Sequence, residues 1–276
     1  MRQAFLILAH EDGAQLEALV RRLVPPGSLD RAIIHIDRKS ALWRETRGGF
    51  LKGIATVIAR PVRVRWGHSS QIAATRLLLA EALREPFDMA HLISGADWPL
   101  VSRERMIGEA GAACHIEAVR GVQCERMERI RLDARLLRPD PARPWEWYPA
   151  RALRMLSALL PARGQGRWGP WHKGSQWWSL PRDACEVVYA ETSRALRTGV
   201  ILGTLCADEH LIQTIVSHHF PDRIAQNRRF IRWGSAASPD VLTAADWPEA
   251  KASEAWFARK LVRRHDPFFL AAHPGP

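Results

Sequence analysis

The first hundred residues alternate between unbroken apolar runs and apolar stripes at helical spacing. The runs cover residues 4–9, 32–36 and 89–93, and each is typical of a strand that is buried on both faces. The stripes between them are formed by Leu16, Leu19, Val20 and Leu23, and by Ile72, Leu79 and Leu83. Strands that alternate with helices in this way predict right-handed parallel crossovers, and therefore an α/β fold.

Shorter elements are expected in the rest of the chain. Strands are predicted at residues 54–59, 62–66, 175–180 and 230–233. Helices are predicted at residues 151–160, from Arg182 onward, and from Asp208 onward. Thr243 or Asp246 would cap a last helix that continues to about residue 258. Arg259 and Lys260 would then lie at the carboxyl end of that helix, where its dipole favours cations.

Composition limits the classes of protein that this chain can be. The 276 residues, 47% of them hydrophobic, are enough for one large or two small folded domains. The four cysteines have no metal-type spacing and indicate reduced thiols. No apolar run approaches the length of a membrane span. The expected location is therefore the cytoplasm, with peripheral contact at the inner membrane left open.

The formal net charge of +11 indicates an anionic partner. Nucleic acid, a phosphate-bearing substrate and an anionic membrane surface all have suitable charge, but no nucleic-acid-binding motif is present and nucleic acid is not expected. The helix predicted at residues 151–160 is basic and amphipathic, with leucines opposite Arg151 and Arg154. Such a helix either packs on the domain or touches an anionic membrane.

Polar residues follow the predicted strands at their carboxyl ends. His10 follows the first strand, Asp37 the second, and Asp97 the run at residues 89–93. Open α/β sheets bind ligands at this edge, where Asp37 is placed to accept from a ribose hydroxyl. Asp97 suits either a substrate contact or a local turn. The glycine fingerprint of a dinucleotide site is absent after the first strand, which argues against a nicotinamide enzyme.

Asp208 and Glu209 are the main candidates for catalysis. Asp208 would accept from a backbone N–H at the start of its helix, and Glu209 would lie in the first turn, where the dipole favours its charged form. A carboxylate held there can take a proton from a substrate hydroxyl. The two residues alone leave open a plain capping role.

Eight short motifs resemble, in the same order, those of the Core-2/I-branching enzyme family, which comprises the β-1,6-N-acetylglucosaminyltransferases and peptide O-xylosyltransferases of glycosyltransferase family 14. The motifs are AFLILAH (4–10), IHIDRKS (34–40), VRWGHSS (64–70), LISGADWPL (92–100), GSQWWSLPR (174–182), ADEHLIQTI (207–215), FIRW (230–233) and WFARKL (256–261). Each is weakly specific alone, but together they extend over nearly the whole chain. Without a membrane anchor or disulfides, the chain resembles a bacterial-type member.

The resemblance implies a GT-A-like fold, in which a mixed, mainly parallel sheet is flanked by helices. Residues 1–276 would form a single glycosyltransferase domain, with a nucleotide-binding half at about 1–100 and an acceptor and catalytic half at about 101–276. The implied reaction is an inverting transfer of N-acetylglucosamine or xylose from a UDP-sugar to a hydroxyl of a glycan or other acceptor. No cofactor or divalent metal would be needed, and the chain indeed has no Asp-x-Asp motif.

The resemblance also implies roles for individual residues. The catalytic base falls on Glu209, with Asp208 beside it. The nucleotide-sugar site would be formed by His10, Asp37, Lys260, Arg259 and Arg232. The sugar and acceptor region would be formed by Asp97, Trp98, Gln176 and Trp177.

Two positions depart from the family pattern. Ala207 replaces the proline of a Pro-Asp-Glu motif, and Asp240 stands where relatives often carry a basic residue, which puts the diphosphate site in question. Two other functions stay open: a non-catalytic basic protein that binds nucleic acid or a membrane surface, and a glycan-binding relative that has lost transfer activity.

Overall fold

The computed structural model describes residues 1–46, 49–137, 144–234 and 238–263. The strands in this part of the chain are β1 (Gln3–Ala9), β2 (Arg31–Ile36), β3 (Thr56–Val57), β4 (Met89–Ser94), β5 (Asp97–Pro99), β6 (Cys114–His115), β7 (Val119–Arg120), β8 (His172–Lys173), β9 (Trp178–Pro181), β10 (Ile224–Ala225), β11 (Arg229–Ile231) and β12 (Phe257–Arg259). The helices are α1 (Gly13–Leu23), α2 (Ala41–Glu45), α3 (Ser70–Ala82), α4 (Arg103–Ala110), α5 (Glu125–Glu128), α6 (Trp147–Ser157), α7 (Arg182–Thr198), α8 (Leu211–His219) and α9 (Trp247–Ala252).

A seven-stranded sheet forms the centre of the protein, in the order β10, β6, β9, β4, β1, β2, β3. β9 runs antiparallel to its neighbours β4 and β6, whereas the other neighbouring strands are parallel. In the register of the central strands, Ile7 lies between Ile34 and Ile93. This mixed, mainly parallel sheet with flanking helices confirms the predicted α/β fold class.

Burial on both faces explains the unbroken apolar runs. Leu6 belongs to a hydrophobic cluster that includes Leu79 of α3, whereas its neighbour Ile7 belongs to a second cluster with Leu16 of α1. Adjacent residues of β1 point to opposite faces of the sheet, so both must be apolar when both faces are covered. Burying each such side chain contributes roughly 1.5–3 kcal/mol to folding.

The predicted last helix is wrong beyond residue 252. Thr243 and Asp246 form a capping box at the 3₁₀ turn Ala244–Asp246, but α9, which follows from Trp247, has no side-chain cap and ends at Ala252. Phe257–Arg259 is instead β12, which pairs in parallel with β11 and antiparallel with β5. Phe257 is fully buried between these strands, a position that a surface helix cannot offer. Lys260 therefore follows a strand and does not end a helix.

The strand predicted at residues 62–66 is also absent. The backbone N–H of Val62 donates to Nε2 of His35 (3.0 Å), and that of Val64 donates to Oδ1 of Asp37 (3.2 Å). These side-chain acceptors replace the partner strand that a ladder would need. The other short strands are displaced by a few residues, so that the strand predicted at 54–59 is only β3 and the one predicted at 175–180 begins at Trp178. Within the described residues, no helix has the length and apolarity that a membrane crossing requires.

Candidate active site

A cleft with a volume of about 420 Å³ opens at the carboxyl ends of β1, β2 and β4. His10 and Asp37 line it, directly after β1 and β2, together with Ser94 at the end of β4. The same cleft is lined by Gln176, Trp177, Glu209, Arg259 and Lys260. The structure thus brings together seven of the eleven residues that the sequence indicated.

Asp37 is held rigidly at the wall of the cleft. Its side chain is buried, and Oδ1 accepts from the backbone N–H of Lys39 (3.1 Å) and of Val64 (3.2 Å). His35 lies below it in β2, and burial lowers the pKa of this histidine to about 4. A neutral His35 accepts the Val62 N–H, which fixes the irregular segment over the cleft.

Glu209 lies where two cavities meet. It ends a 3₁₀ turn, Ala207–Glu209, and its backbone carbonyl accepts from the N–H of Gly174 (2.9 Å). Its side chain lines the cleft and also a neighbouring cavity of about 690 Å³. The second cavity is lined as well by Glu117, Lys173, Asn227 and Trp233. A carboxylate at this junction can contact molecules on both sides.

Arg126 is a neighbour of Glu209 that the sequence did not indicate. Its guanidinium donates to Oε2 of Glu209 at 3.1 Å, and both side chains are about 30% exposed (28% and 31%). This charge-assisted hydrogen bond fixes the orientation of the carboxylate. Arg126 is about eighty residues away in the chain, so only the fold brings it to Glu209.

Asp208 does not have its predicted capping role. α8 begins at Leu211, after the 3₁₀ turn, and no side chain caps it. Asp208 is buried, and its Oδ1 atom has no hydrogen-bond partner among the described residues. Burial, followed by the negative charge of Glu209, raises the pKa of Asp208 to about 7. The turn itself starts from Cys206, which has a left-handed backbone conformation (φ 51°) that is uncommon for this residue type.

Arg259 is held in place from two directions. Its guanidinium forms an ion pair with Oδ1 of Asp97 (2.7 Å) and lies over the ring of Trp177, 4.3 Å from the centroid. Asp97 is completely buried and also accepts from the backbone N–H of Ser94 (3.0 Å). Because a buried carboxylate fixes it, Arg259 presents a preorganised positive charge to the cleft.

Lys260 lies beside Arg259 on the cleft wall. Its ammonium group forms no ion pair or hydrogen bond with any other residue that the structure describes. Lys39 lines the cleft as well. The cleft therefore contains a group of cations suited to an anionic ligand. Among the residues that the structure describes, no group of three or more His, Cys, Asp or Glu side chains is arranged to hold a metal ion.

Four predicted site residues do not line the cleft. Asp97 contributes to the cleft only through its ion pair with Arg259. Trp98 is buried in the hydrophobic core. Arg232 pairs with Asp246 (2.5 Å) and Glu249 at the surface. Asp208 belongs to the same turn as Glu209, but its side chain is buried. Trp98 and Arg232 were assigned from motif position alone, and Asp97 from its motif and its place after a strand, neither of which reports the direction of a side chain.

Several residues that line the cleft were not predicted to belong to the site, although Trp66 and Trp233 lie in the family motifs. Trp66 and Trp233 are 58% and 60% exposed, respectively, and offer aromatic faces at its rim. Gln71 donates to Oε1 of Gln176 (3.2 Å) across the floor of the cleft. Exposed indole faces suit sugar rings. The high tryptophan content of the chain, 12 residues, is the feature of the sequence that agrees with such a site.

The fold is a mixed α/β fold, and its candidate ligand site lies at the carboxyl edge of the sheet. A sequence profile described as "Branch: Core-2/I-Branching enzyme" matches residues 3–110 and 157–266. This match extends over most of the chain, which therefore belongs to the Core-2/I-branching enzyme family and is a glycosyltransferase. The resemblance carried by the eight motifs is confirmed. Residues 111–156 lie outside the matched segments.

Solved structures similar to the chain share few identical residues with it. A 4-diphosphocytidyl-2C-methyl-D-erythritol synthase from Anaerococcus prevotii DSM 20548 is 13% identical, with a TM-score of 0.37, over 91% of this chain and 94% of the other. The bifunctional glycosyltransferase WbbM is 10% identical, with a TM-score of 0.42, over 93% of this chain and 45% of the other. No curated protein is a significant match to the sequence.

Proposed function

We propose that this protein is an inverting glycosyltransferase that moves a sugar from a UDP-sugar to an acceptor hydroxyl, with Glu209 as general base. The observation that carries the proposal is the position of Glu209 between the cleft of about 420 Å³ and the cavity of about 690 Å³. The cleft would hold the nucleotide sugar, and the cavity would hold the acceptor. A base at their junction can reach the acceptor hydroxyl beside the donor sugar.

The proposed step is a direct displacement at the sugar C1 atom. The acceptor oxygen forms a bond to C1 on the face opposite UDP, and the bond from C1 to the diphosphate oxygen breaks. The bonding electrons leave with UDP, and the acceptor proton passes to the Glu209 carboxylate. Arg126 would hold the Glu209 carboxylate in the orientation that this step requires.

The leaving diphosphate gains negative charge as the bond breaks. Arg259, fixed by Asp97, and Lys260 would stabilise it through charge-assisted hydrogen bonds. Asp37, after β2, would accept from the ribose or uracil of the donor. In this proposal the cations replace a divalent metal. N-acetylglucosamine and xylose are the proposed donor sugars, and a glycan is the proposed acceptor.

Glu209→Gln tests the proposed base. Loss of general-base assistance should slow transfer from UDP-N-acetylglucosamine or UDP-xylose by roughly 10²–10⁴-fold, while UDP binding is retained. Glu254→Gln is a matched control, because Glu254 also pairs with an arginine (Arg228, 3.0 Å) but does not line the cleft. Unchanged turnover in Glu209→Gln would show that another group takes the proton.

Lys260→Ala tests the diphosphate site. A charge-assisted hydrogen bond contributes about 1.5–3 kcal/mol, so UDP should bind roughly tenfold to a hundredfold more weakly, as measured by calorimetry. Lys52→Ala is the control, since Lys52 is an exposed lysine that does not line the cleft. Equal affinity of wild type and Lys260→Ala would contradict the assignment.

A thermal-shift screen of nucleotide sugars in EDTA separates this function from that of a non-catalytic basic protein. The proposed enzyme should be stabilised by its UDP-sugar in the presence of the chelator. A non-catalytic protein with the same net charge would show no such shift and would instead bind nucleic acid with steep salt dependence.

A further inference from the structure

Helix α6 and the turn that follows it expose large apolar side chains where a surface helix usually buries them. Tyr148, Met155 and Leu159 are 83%, 69% and 82% exposed, respectively. They are spaced at i, i+7 and i+11, which places them on one stripe of the helix and its continuing turn. Ala150 and Ser157, on the opposite side, are buried.

The contacts of α6 with the domain are made by that opposite side. Ser157 Oγ accepts from the backbone N–H of Leu132 (2.9 Å), and Arg154 pairs with the buried Asp133 (3.4 Å). The helix is therefore attached through its small and polar residues. The sequence pattern leaves open whether the leucines of this helix pack on the domain. In the structure most of them are exposed to solvent.

The exposed apolar side chains are concentrated in this one segment. Of the 14 large hydrophobic side chains that are exposed in the described part of the chain, half belong to residues 145–160. They are Trp145, Trp147, Tyr148, Met155, Leu156, Leu159 and Leu160. A contiguous apolar surface of this kind marks an interaction site.

Charge and aromatic content favour a lipid surface as the partner. Residues 144–167 contain four arginines against one glutamate, and Arg151 is exposed beside the apolar stripe. Arg154 lies over the ring of Trp147, 5.7 Å from its centroid. Tryptophan and tyrosine prefer the headgroup level of a bilayer, and arginines near it are attracted to anionic lipids.

We propose that residues 144–160 form a docking surface for the headgroup region of a bilayer that contains anionic phospholipid. The helix lies in the plane of the membrane, with the stripe of Tyr148, Met155 and Leu159 inserted and Arg151 at the phosphates. Most of this surface, residues 144–156, lies outside the segments that match the family profile, whereas Leu159 lies just inside the second segment.

The docked surface lies next to the active-site cleft. Glu146, at the start of α6, pairs with Arg65 (4.0 Å), and the residues on either side of Arg65, Val64 and Trp66, line the cleft. Binding through α6 would therefore hold the mouth of the cleft close to the membrane surface.

Co-sedimentation of the full chain with vesicles tests the proposal. We expect binding to vesicles of phosphatidylcholine with phosphatidylglycerol, and little binding to phosphatidylcholine alone. The double variant Met155→Asp/Leu159→Asp should lower the partition coefficient at least about tenfold, because two inserted apolar groups are lost. Arg151→Gln should lower it about fivefold and weaken its salt dependence. Leu29→Asp, at a residue that is 66% exposed in the turn between α1 and β2, is the control and should bind normally.

The variants change exposed side chains, so their thermal unfolding should match that of the wild type. If the double variant does not fold, vesicle binding of Arg151→Gln, and of the wild type at high salt, tests the same surface. Absence of vesicle binding, equal binding to both vesicle types, or unchanged binding of both α6 variants would overturn the proposal. The proposal would also be overturned if light scattering showed that the wild type is a dimer and the double variant a monomer, because a second copy of the chain would then cover the surface.

Discussion

Replacing Asp208 by asparagine should make the protein more stable at alkaline pH. Asp208 is buried behind the Glu209 turn, and its Oδ1 atom has no partner among the described residues. Burial and the neighbouring charge of Glu209 raise its pKa from 3.8 to about 7. Asparagine has nearly the same shape and never ionises.

The sign of the effect follows from proton binding. Below pH 4 the Asp208 carboxyl is protonated in both the folded and the unfolded state, so it adds no pH dependence. Between about pH 4 and 7 the unfolded chain releases this proton while the folded protein keeps it, so the free energy of unfolding falls as the pH rises. Each pKa unit corresponds to about 1.4 kcal/mol, which gives a loss of up to about 4 kcal/mol, complete above pH 7. This is a large part of a typical total stability.

Urea unfolding at pH 5 and pH 8 measures the difference. At pH 5 the folded wild type still keeps the Asp208 proton, but its unfolded chain has largely released it, so Asp208→Asn should already be more stable than the wild type by roughly 1.5 kcal/mol. At pH 8 the variant should be more stable by up to about 4 kcal/mol. Asp222→Asn, at an exposed carboxyl, should show no such change between the two pH values. If the difference between Asp208→Asn and the wild type were the same at both pH values, Asp208 would not be a buried carboxyl with a raised pKa.

Three further predictions concern Arg126, Gly174 and the absence of a metal requirement. Arg126→Gln should lower kcat/KM, because the Glu209 carboxylate loses the ion pair that orients it; an unchanged kcat/KM would exclude this role. Gly174→Ala should destabilise the protein by at least about 1–3 kcal/mol, since a Cβ atom there would lie 1.8 Å from a backbone oxygen. Gly108→Ala, with open space in α4, should instead stabilise it by about 0.5–1 kcal/mol, and thermal unfolding of both variants checks the contrast. Transfer activity should persist in excess EDTA, and its abolition would contradict the metal-free proposal.

The sequence alone determined the elements whose burial depends on their own apolar pattern. β1, β2 and β4 are unbroken apolar runs because both faces of each strand are covered, and α1 presents one apolar stripe to the sheet. His10 and Asp37, which follow β1 and β2, therefore line the cleft at one edge as predicted, whereas Asp97 is buried in β5. Motif order supplied the family, and with it the candidate residues of the cleft.

Only the tertiary structure decided the contacts between distant parts of the chain. β12 looks like the end of a helix in isolation, yet it pairs with β5, some 160 residues earlier in the chain. Asp97 fixes Arg259 instead of facing a substrate, and Arg126 reaches Glu209 from a segment outside the family profile. Asp208 is buried while Glu209 of the same turn faces the cleft, and its Oδ1 atom has no hydrogen-bond partner among the described residues. A local apolar pattern specifies which face of an element is buried, but the partner of a charged side chain depends on how the whole chain closes around it.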